Sequence, residues 1–402
     1  MRTKQHCCGL DVHKDTIFAA IYADGKHTEV KEFSTLTPDI HSMSKWMKEQ
    51  GVTKVAMEST GIYWVCVWNI LEKEGFRLLL VNPYFIKQMP GRKSDVKDSQ
   101  WIAQLLAKDM LRGSLIPEEH IRELRCYSRE YVRKKGYITR CMQSMERILE
   151  TAGIHITSLV SKIESKTVLD VIDSIIKGQT DAEKLIHHVH GRIINSKKRE
   201  KVLQSLQGFI KPEHKVLLGQ KQEEYQLLNK QATELEQHMT GICNTYYKKE
   251  MELLKTMPGV DTQAAMQIIA ETGANMKPFD SSKKLTGWAG LRPRNDESAG
   301  KIKSKATTKG NKYLKRIMVQ VSWAASRTKA SSCHIKFTQL AIRKGTKKAL
   351  IAIARKHLSV IWNVLGKQQP YNAQLQPVYN AEQIERKKAY YEKQLEQLNR
   401  FN

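Results

Sequence analysis

CCGLDVHKDTIFAAIYADGKHTEVKEFS, residues 7–34, carries three strand-like runs in succession: CCGLDV, TIFAAIYA and TEVKEFS. Asp24-Gly25, between the second and third, is a dipeptide that two-residue hairpin turns favour, because both central residues need positive φ. Outward from this stretch the periodicity changes. Thr37-Pro38 opens a helix that ends near Gly51, with Thr37 as N-cap and the proline where its missing N–H costs nothing. VTKVAMES (52–59) predicts a fourth strand, Gly61 to Glu74 a second helix, and FRLLLVNP (76–83) a fifth strand. Residues 94–109 predict a further helix, with Ile102, Leu105 and Leu106 on one side.

The order β-β-β-α-β-α-β-α is that of the ribonuclease-H-like α/β fold. In that fold the first and fourth strands are neighbours and the last helix packs across them. Four carboxylates then converge. Asp11 ends the first strand, Glu58 ends the fourth, and Asp95 and Asp98 stand three apart on the helix, hence on one face. Taken singly, each has a plain reading: a turn residue, a helix-start acid, a cap. Gathered at one point they repel one another and resist joint ionisation without a cation. Mg²⁺ or Mn²⁺ relieves that repulsion and bridges phosphate oxygens.

A polyanion is the natural partner. The chain of 402 residues has 67 Lys+Arg against 41 Asp+Glu, a formal net charge of +26, which favours phosphate backbones through counterion release. An anionic membrane surface is the rival, but no run approaches the ~18 apolar residues of a membrane span. MRTKQHCCGLDV lacks the apolar core of a signal peptide, so a cytoplasmic protein is expected. The seven cysteines are odd in number, widely spaced and without a C-x-x-C, which predicts reduced thiols. His187, His188 and His190 raise zinc, but no cysteine pair accompanies them and a solvated helix face is the simpler reading.

Downstream, Pro117 to Gly153 predicts a long basic helix. Arg122, Arg125, Arg129 and Arg133 recur on one face, as a phosphate-facing stripe or as a solvated charged face. From about 214, Tyr225, Leu228, Ala232, Leu235, Met239, Ile242 and Tyr246 form a heptad-like seam, for a helix pair within the chain or a dimer coil. Met-Pro-Gly-Val-Asp (257–261) before an apolar helix suits either the hairpin of a helix-hairpin-helix module, whose amides meet a phosphate, or a plain turn. Residues 281–316 hold eleven Lys/Arg and two acids, with Ser298 in a small-residue turn among them. Candidate backbone contacts are Arg294, Lys301, Lys303, Lys305, Lys309, Lys312 and Arg316, then Arg343, Lys344, Lys347 and Lys348. Tyr63, Trp64, Trp68 and Tyr84 either stack on bases or pack in a core.

GLDVHKDT, AMESTGIYW, GRKSDVKDSQW, LKTMPGVD, LTGWAGLRPR, ESAGK and KGNKYLKR follow one another in this order. The set resembles the DEDD-type insertion-sequence transposases of the "IS-one-ten" family and its "eleven-eleven" branch, the bridge-RNA-guided recombinases, over about residues 5–365. The resemblance implies a RuvC-like domain (1–115) whose catalytic, metal-holding set falls on Asp11, Glu58, Asp95 and Asp98. It implies a helical, coiled-coil linker and dimerisation region (116–250), and a mainly helical transposase domain (251–370) whose nucleophile falls on Ser298. A polar tail (371–402) would follow. It further implies a dimer to tetramer with sites pairing carboxylates and serine from different subunits, a structured guide RNA, donor and target DNA, and strand exchange through a covalent phosphoserine. Where the family often has Ser-Ser-Gly-Gly, this chain has Glu297-Ser298-Ala299-Gly300, leaving one serine. Two other readings stay open: a RuvC-like nuclease or junction resolvase using water, and an inactive relic that binds nucleic acid by charge.

Overall fold

The computed structural model describes residues 6–59, 61–82, 95–160, 162–294, 296–298, 301–304, 306–329, 331–373 and 381–399. The chain divides into two compact units, Met1–Pro117 and Glu118–Asn402.

In the first unit, β1 (His6–Val12), β2 (Thr16–Ala23), β3 (Lys26–Ser34), β4 (Val52–Glu58) and β5 (Arg77–Val81) form one sheet in the order β3-β2-β1-β4-β5. The first three strands are antiparallel, while β4 runs parallel to both β1 and β5. Asp24 and Gly25 have φ of 50° and 82°, the two positive values that a tight hairpin turn with right-handed twist requires. Helices α1 (Thr37–Glu49) and α2 (Trp64–Lys73) cover one face, packing on Leu10, Val55, Met57 and Leu80. Helix α3 (Asp95–Ala107) covers the other, where Cys7, Ala56, Val81, Ile102 and Leu106 form a second core. β1 lies between them, buried along nearly its whole length, as a central strand must be.

Two element starts differ from expectation. The α1 N-cap is Leu36 rather than Thr37, because Ser34 already supplies a hydroxyl to the Leu36 amide and the chain turns one residue earlier. Helix α2 begins at Trp64 rather than Gly61, whose φ of +57° is left-handed and cannot continue a right-handed turn. Trp68 is buried in the α1/α2 core and Trp64 packs edge-on to it, so both are core residues rather than stacking platforms. Tyr63 is exposed, and Tyr84 lies outside the described residues.

The second unit is helical. The long helix α4 (Glu119–Thr151) packs along α7 (Pro212–Tyr246), with α5 (Lys166–Ile176) and α6 (Arg199–Leu206) closing a core around Met142, Met145, Leu149, Val171, Ile172 and Leu206. The seam on α7 therefore has a partner within the chain: Leu228 and Ala232 join this core, and Met239 is buried. Then follow α8 (Lys248–Lys255), α9 (Thr262–Thr272), α10 (Ser282–Trp288), the hairpin β6 (Asp296–Ser298)–β7 (Lys301–Ser304), α11 (Lys312–Arg327), α12 (Ser332–Lys344), α13 (Thr346–Lys367) and α14 (Ala381–Asn399). The Met-Pro-Gly turn is pressed against α11: a Cβ on Gly259 would lie 2.5 Å from the Val321 carbonyl oxygen. Asp261 caps the helix after it by accepting from the Ala264 amide. No helix among the described residues is long and apolar enough to cross a membrane.

Candidate active site

Side chains alternate across a strand, so Asp11 shares the face of Cys7 and Gly9, and Glu58 shares that of Ala56. Cys7 and Ala56 belong to the core beneath α3, so both carboxylates point toward that helix. Register brings them together. Leu10 pairs with Met57 in the parallel β1–β4 ladder, so the next residues along, Asp11 and Glu58, stand side by side at the carboxyl ends, roughly 4.8 Å apart in the strand-to-strand direction.

Gly9 sets the height of α3. A Cβ there would lie 2.3 Å from the Ser99 carbonyl oxygen and 2.4 Å from the Ala103 amide nitrogen. The turn of α3 from Ser99 to Ala103, which directly follows Asp98, is thus laid over the strand two residues from Asp11. Asp98 is half-buried and precedes the buried Ser99; the side chain of Asp95 lies outside the described residues. Acidic residues in a first helical turn are also favoured by the helix dipole.

Asp11 is only 6 % exposed, and His13 Nε2 lies 3.2 Å from its Oδ2. His13 follows the last residue of β1, two positions after Asp11, and that nearness in sequence is the signal by which it could have been added to the site. Among the described residues no three His, Cys, Asp or Glu side chains are gathered tightly enough to hold an ion. The donor set still suits one: hard carboxylate oxygens, those of Asp11 and Glu58 at adjacent strand ends and those of Asp98 on α3, the helix that covers the same sheet face.

In the second unit, Ser298 ends β6 and pairs with Lys301 across the hairpin. Its side chain, those of Lys301 and Lys303, and the whole of Lys305 lie outside the described residues. The base of the hairpin is tightly built. Gly290 has φ of +70°, and a Cβ on Gly310 would lie 2.3 Å from the Gly290 nitrogen and 2.5 Å from the Trp288 carbonyl oxygen. Pro293 bridges to Thr307, the Arg294 amide donates to Ala306, and the Asn311 amide donates to Trp288.

Beneath it lies a buried charge cluster absent from the sequence reading. Glu271, 1 % exposed, accepts both Arg129 Nε and a second Arg129 nitrogen at 2.8 Å, and the Asn311 amide at 2.6 Å. Arg125 donates to the carbonyls of Ala270 and Glu271. Burial pulls the Arg125 pKa down, while the hydrogen bonds to Glu271 raise that of Arg129. Two members of the expected phosphate-facing stripe are thus turned inward, because Glu271 needs both as counter-charges. Arg122 is half-buried, and the exposed Arg133 pairs with Glu130. Lys309, Lys312, Arg316, Arg343, Lys344, Lys347 and Lys348 are exposed.

Comparison with known proteins gives the lineage. An IS110-type DEDD transposase model matches residues 8–154, and that of the "Transposase IS116/IS110/IS902 family" matches 251–337, together more than half of the chain. The transposase for insertion sequence element IS1111A of Coxiella burnetii is 26% identical over 127 residues, covering 31% of this chain and 35% of that protein. An IS900 uncharacterized 42 kDa protein of Mycobacterium paratuberculosis is 29% identical over 126 residues, 31% of each chain. The pilin gene-inverting protein of Moraxella bovis is 26% identical over 137 residues, 33% of this chain and 42% of that one. The matches thus span about a third to two fifths of these curated relatives. Among solved structures, T. thermophilus RuvC in complex with Holliday junction substrate aligns at 11% identity and a TM-score of 0.22, over 27% of this chain and 99% of that one. On the two family matches, the first of which spans all four carboxylates and the second the serine hairpin, the chain belongs to the IS110-type family of DEDD insertion-sequence transposases.

Proposed function

We propose that the protein is a recombinase that cuts and rejoins DNA through a covalent phosphoserine on Ser298, with a divalent cation held by Asp11, Glu58, Asp95 and Asp98. What supports this reading is the strand register that sets Asp11 and Glu58 side by side on the sheet face covered by α3, the helix that carries Asp95 and Asp98. Bound there, Mg²⁺ or Mn²⁺ would neutralise charge on a scissile phosphate. Ser298 Oγ attacks the phosphorus, a deoxyribose oxygen leaves and takes up a proton, and the serine gives up its own. The phosphoserine ester conserves the bond energy, so a hydroxyl of another strand can displace the serine without ATP. Lysines following the hairpin, with Lys309, Lys312 and Arg316 exposed, hold phosphates and meet the charge that develops. The family resemblance supports an oligomer of two to four subunits and a guide RNA that chooses donor and target.

The test is a denaturing gel of protein incubated with Mg²⁺, its element's RNA and labelled donor and target DNA. Wild type should give a protein–DNA adduct that Ser298→Ala and Asp11→Ala both abolish. Cleavage without an adduct, persisting in Ser298→Ala, assigns the attack to water and makes the protein a nuclease. Undiminished recombination after the RNA is removed overturns the guide.

A further inference from the structure

Between α12, α13 and the base of the β6–β7 hairpin lies a cavity of about 1030 Å³. Its floor is aliphatic: Leu291, Leu340, Ile351 and Ile353, with Pro293 on the hairpin side. Its rim is cationic: Lys336, Arg343, Lys344, Lys347, Lys348 and Arg355 line it, and among the described residues no carboxylate does. Like charges crowded at one junction repel one another and await a polyanion.

The two halves of the lining constrain the ligand jointly. Inorganic phosphate satisfies the rim and leaves the floor idle; an apolar peptide does the reverse. A nucleotide brings both, a phosphodiester and the apolar faces of base and sugar. In a duplex those faces are stacked inside, so only an unpaired nucleotide can reach the floor. The volume matches that of pockets that enclose small molecules, ~300–1,000 Å³. One wall is made by Pro293 and Thr307, the bridged pair at the base of the hairpin that ends β6 at Ser298. A strand running past the hairpin therefore runs into this groove.

We propose that the groove holds an unpaired nucleotide of the DNA strand on which the hairpin acts, its base on the aliphatic floor and its flanking phosphates on Arg343, Lys347 and Lys348. The choice of DNA rests on the recombinase reading; the unpaired-nucleotide chemistry does not. With no aromatic platform in the lining, the site accepts any base.

Fluorescence anisotropy on the full chain at fixed salt, without metal, tests this with a blunt DNA duplex, the same duplex carrying one unpaired nucleotide, and the matching RNA bulge. Wild type should prefer the bulged DNA about tenfold over the blunt one, the gain expected from withdrawing roughly 60 Å² of apolar base and floor surface from water. Ala352→Leu, whose added atoms intrude on the aliphatic floor from an exposed lining position, should erase that preference and leave blunt-duplex affinity unchanged. The surface pair Lys347→Gln with Lys348→Gln should weaken both DNA probes. Equal wild-type affinity for bulged and blunt DNA overturns the proposal, as does a preference that survives Ala352→Leu. Tighter binding of the RNA bulge overturns the DNA assignment. Ser298→Ala should retain the preference, so loss of the adduct and loss of the groove are separate results.

Discussion

Glu271 shows how a single buried carboxylate can fix the arrangement of distant segments. It joins α4, through Arg129, to the N-cap of α11, through Asn311, and its own main-chain carbonyl receives Arg125. Glu271→Ala leaves two guanidinium groups without their counter-charge. Because Arg129 is 37% exposed and water can partly replace the partner, the lower end of the range applies, ~3 kcal/mol. The urea midpoint of the second unit's transition should fall accordingly, and less in Glu271→Gln, which still accepts one bond. His357 is a second buried group with a fixed protonation state. Ser322 Oγ gives its proton to the Met318 carbonyl, so it accepts from His357 Nδ1, which leaves Nε2 to accept from the Cys333 thiol at 3.2 Å. Burial holds the imidazole pKa down at about 4, with the charge of Lys356 adding to the effect. A depressed histidine stabilises the fold fully above its ordinary value near 6.5, where both states are neutral. As pH falls below that, the unfolded chain takes up a proton that the fold refuses, and stability drains away until pH reaches about 4. Between pH 7 and pH 5 the loss from this residue should be about 2 kcal/mol. Denaturation midpoints at the two pH values should show it in wild type and show less of it in His357→Gln.

At the scale of elements, the β1–β4 register and the seat of α3 together position the carboxylates. Gly9→Ala puts a methyl group into the backbone of α3, which must lift away from Asp11 and Glu58. Overpacking of this kind costs ~1–3 kcal/mol. The more telling result is a Mg²⁺ affinity, read by calorimetry, that falls at least tenfold in a protein that is still folded; unchanged affinity would show that α3 contributes nothing to the ion. Much of this was legible beforehand, for identifiable reasons. The succession of strands and helices along the chain, the Asp24-Gly25 turn and the helix that begins near Asp95 rest on local periodicity and φ requirements, which a sequence displays directly. The inward turn of Arg125 and Arg129 was not legible, since an i, i+4 basic stripe looks the same whether it faces phosphate or a glutamate more than 140 residues away. The groove beside the hairpin was half legible: its cations stood out as a run, but its floor is assembled from Leu291, Leu340, Ile351 and Ile353, which no single stretch brings together. The seam on α7 left two partners open for the same reason, and the structure supplies α4.

For the whole molecule, a net charge of +26 would make affinity for the proposed DNA substrate a function of salt. Each phosphate neutralised releases counterions, and the slope of log K against log salt is about −0.9 per contact on duplex DNA. The chain's positive residues divide into those spent inside the fold and those left at the surface, and only the second class contributes to that slope. Arg129 is committed to Glu271 and stacks over Tyr313, with its guanidinium carbon 4.6 Å from the ring centre. Lys347 and Lys348 are exposed on the groove. In a salt titration from 50 to 200 mM, Lys347→Gln combined with Lys348→Gln should therefore flatten the slope by about 2. Arg129→Gln should leave the slope unchanged while lowering the denaturation midpoint. The opposite result, a flattened slope in Arg129→Gln, would mean that Glu271 gives up this arginine when DNA binds, and that the buried cluster opens as part of recognition.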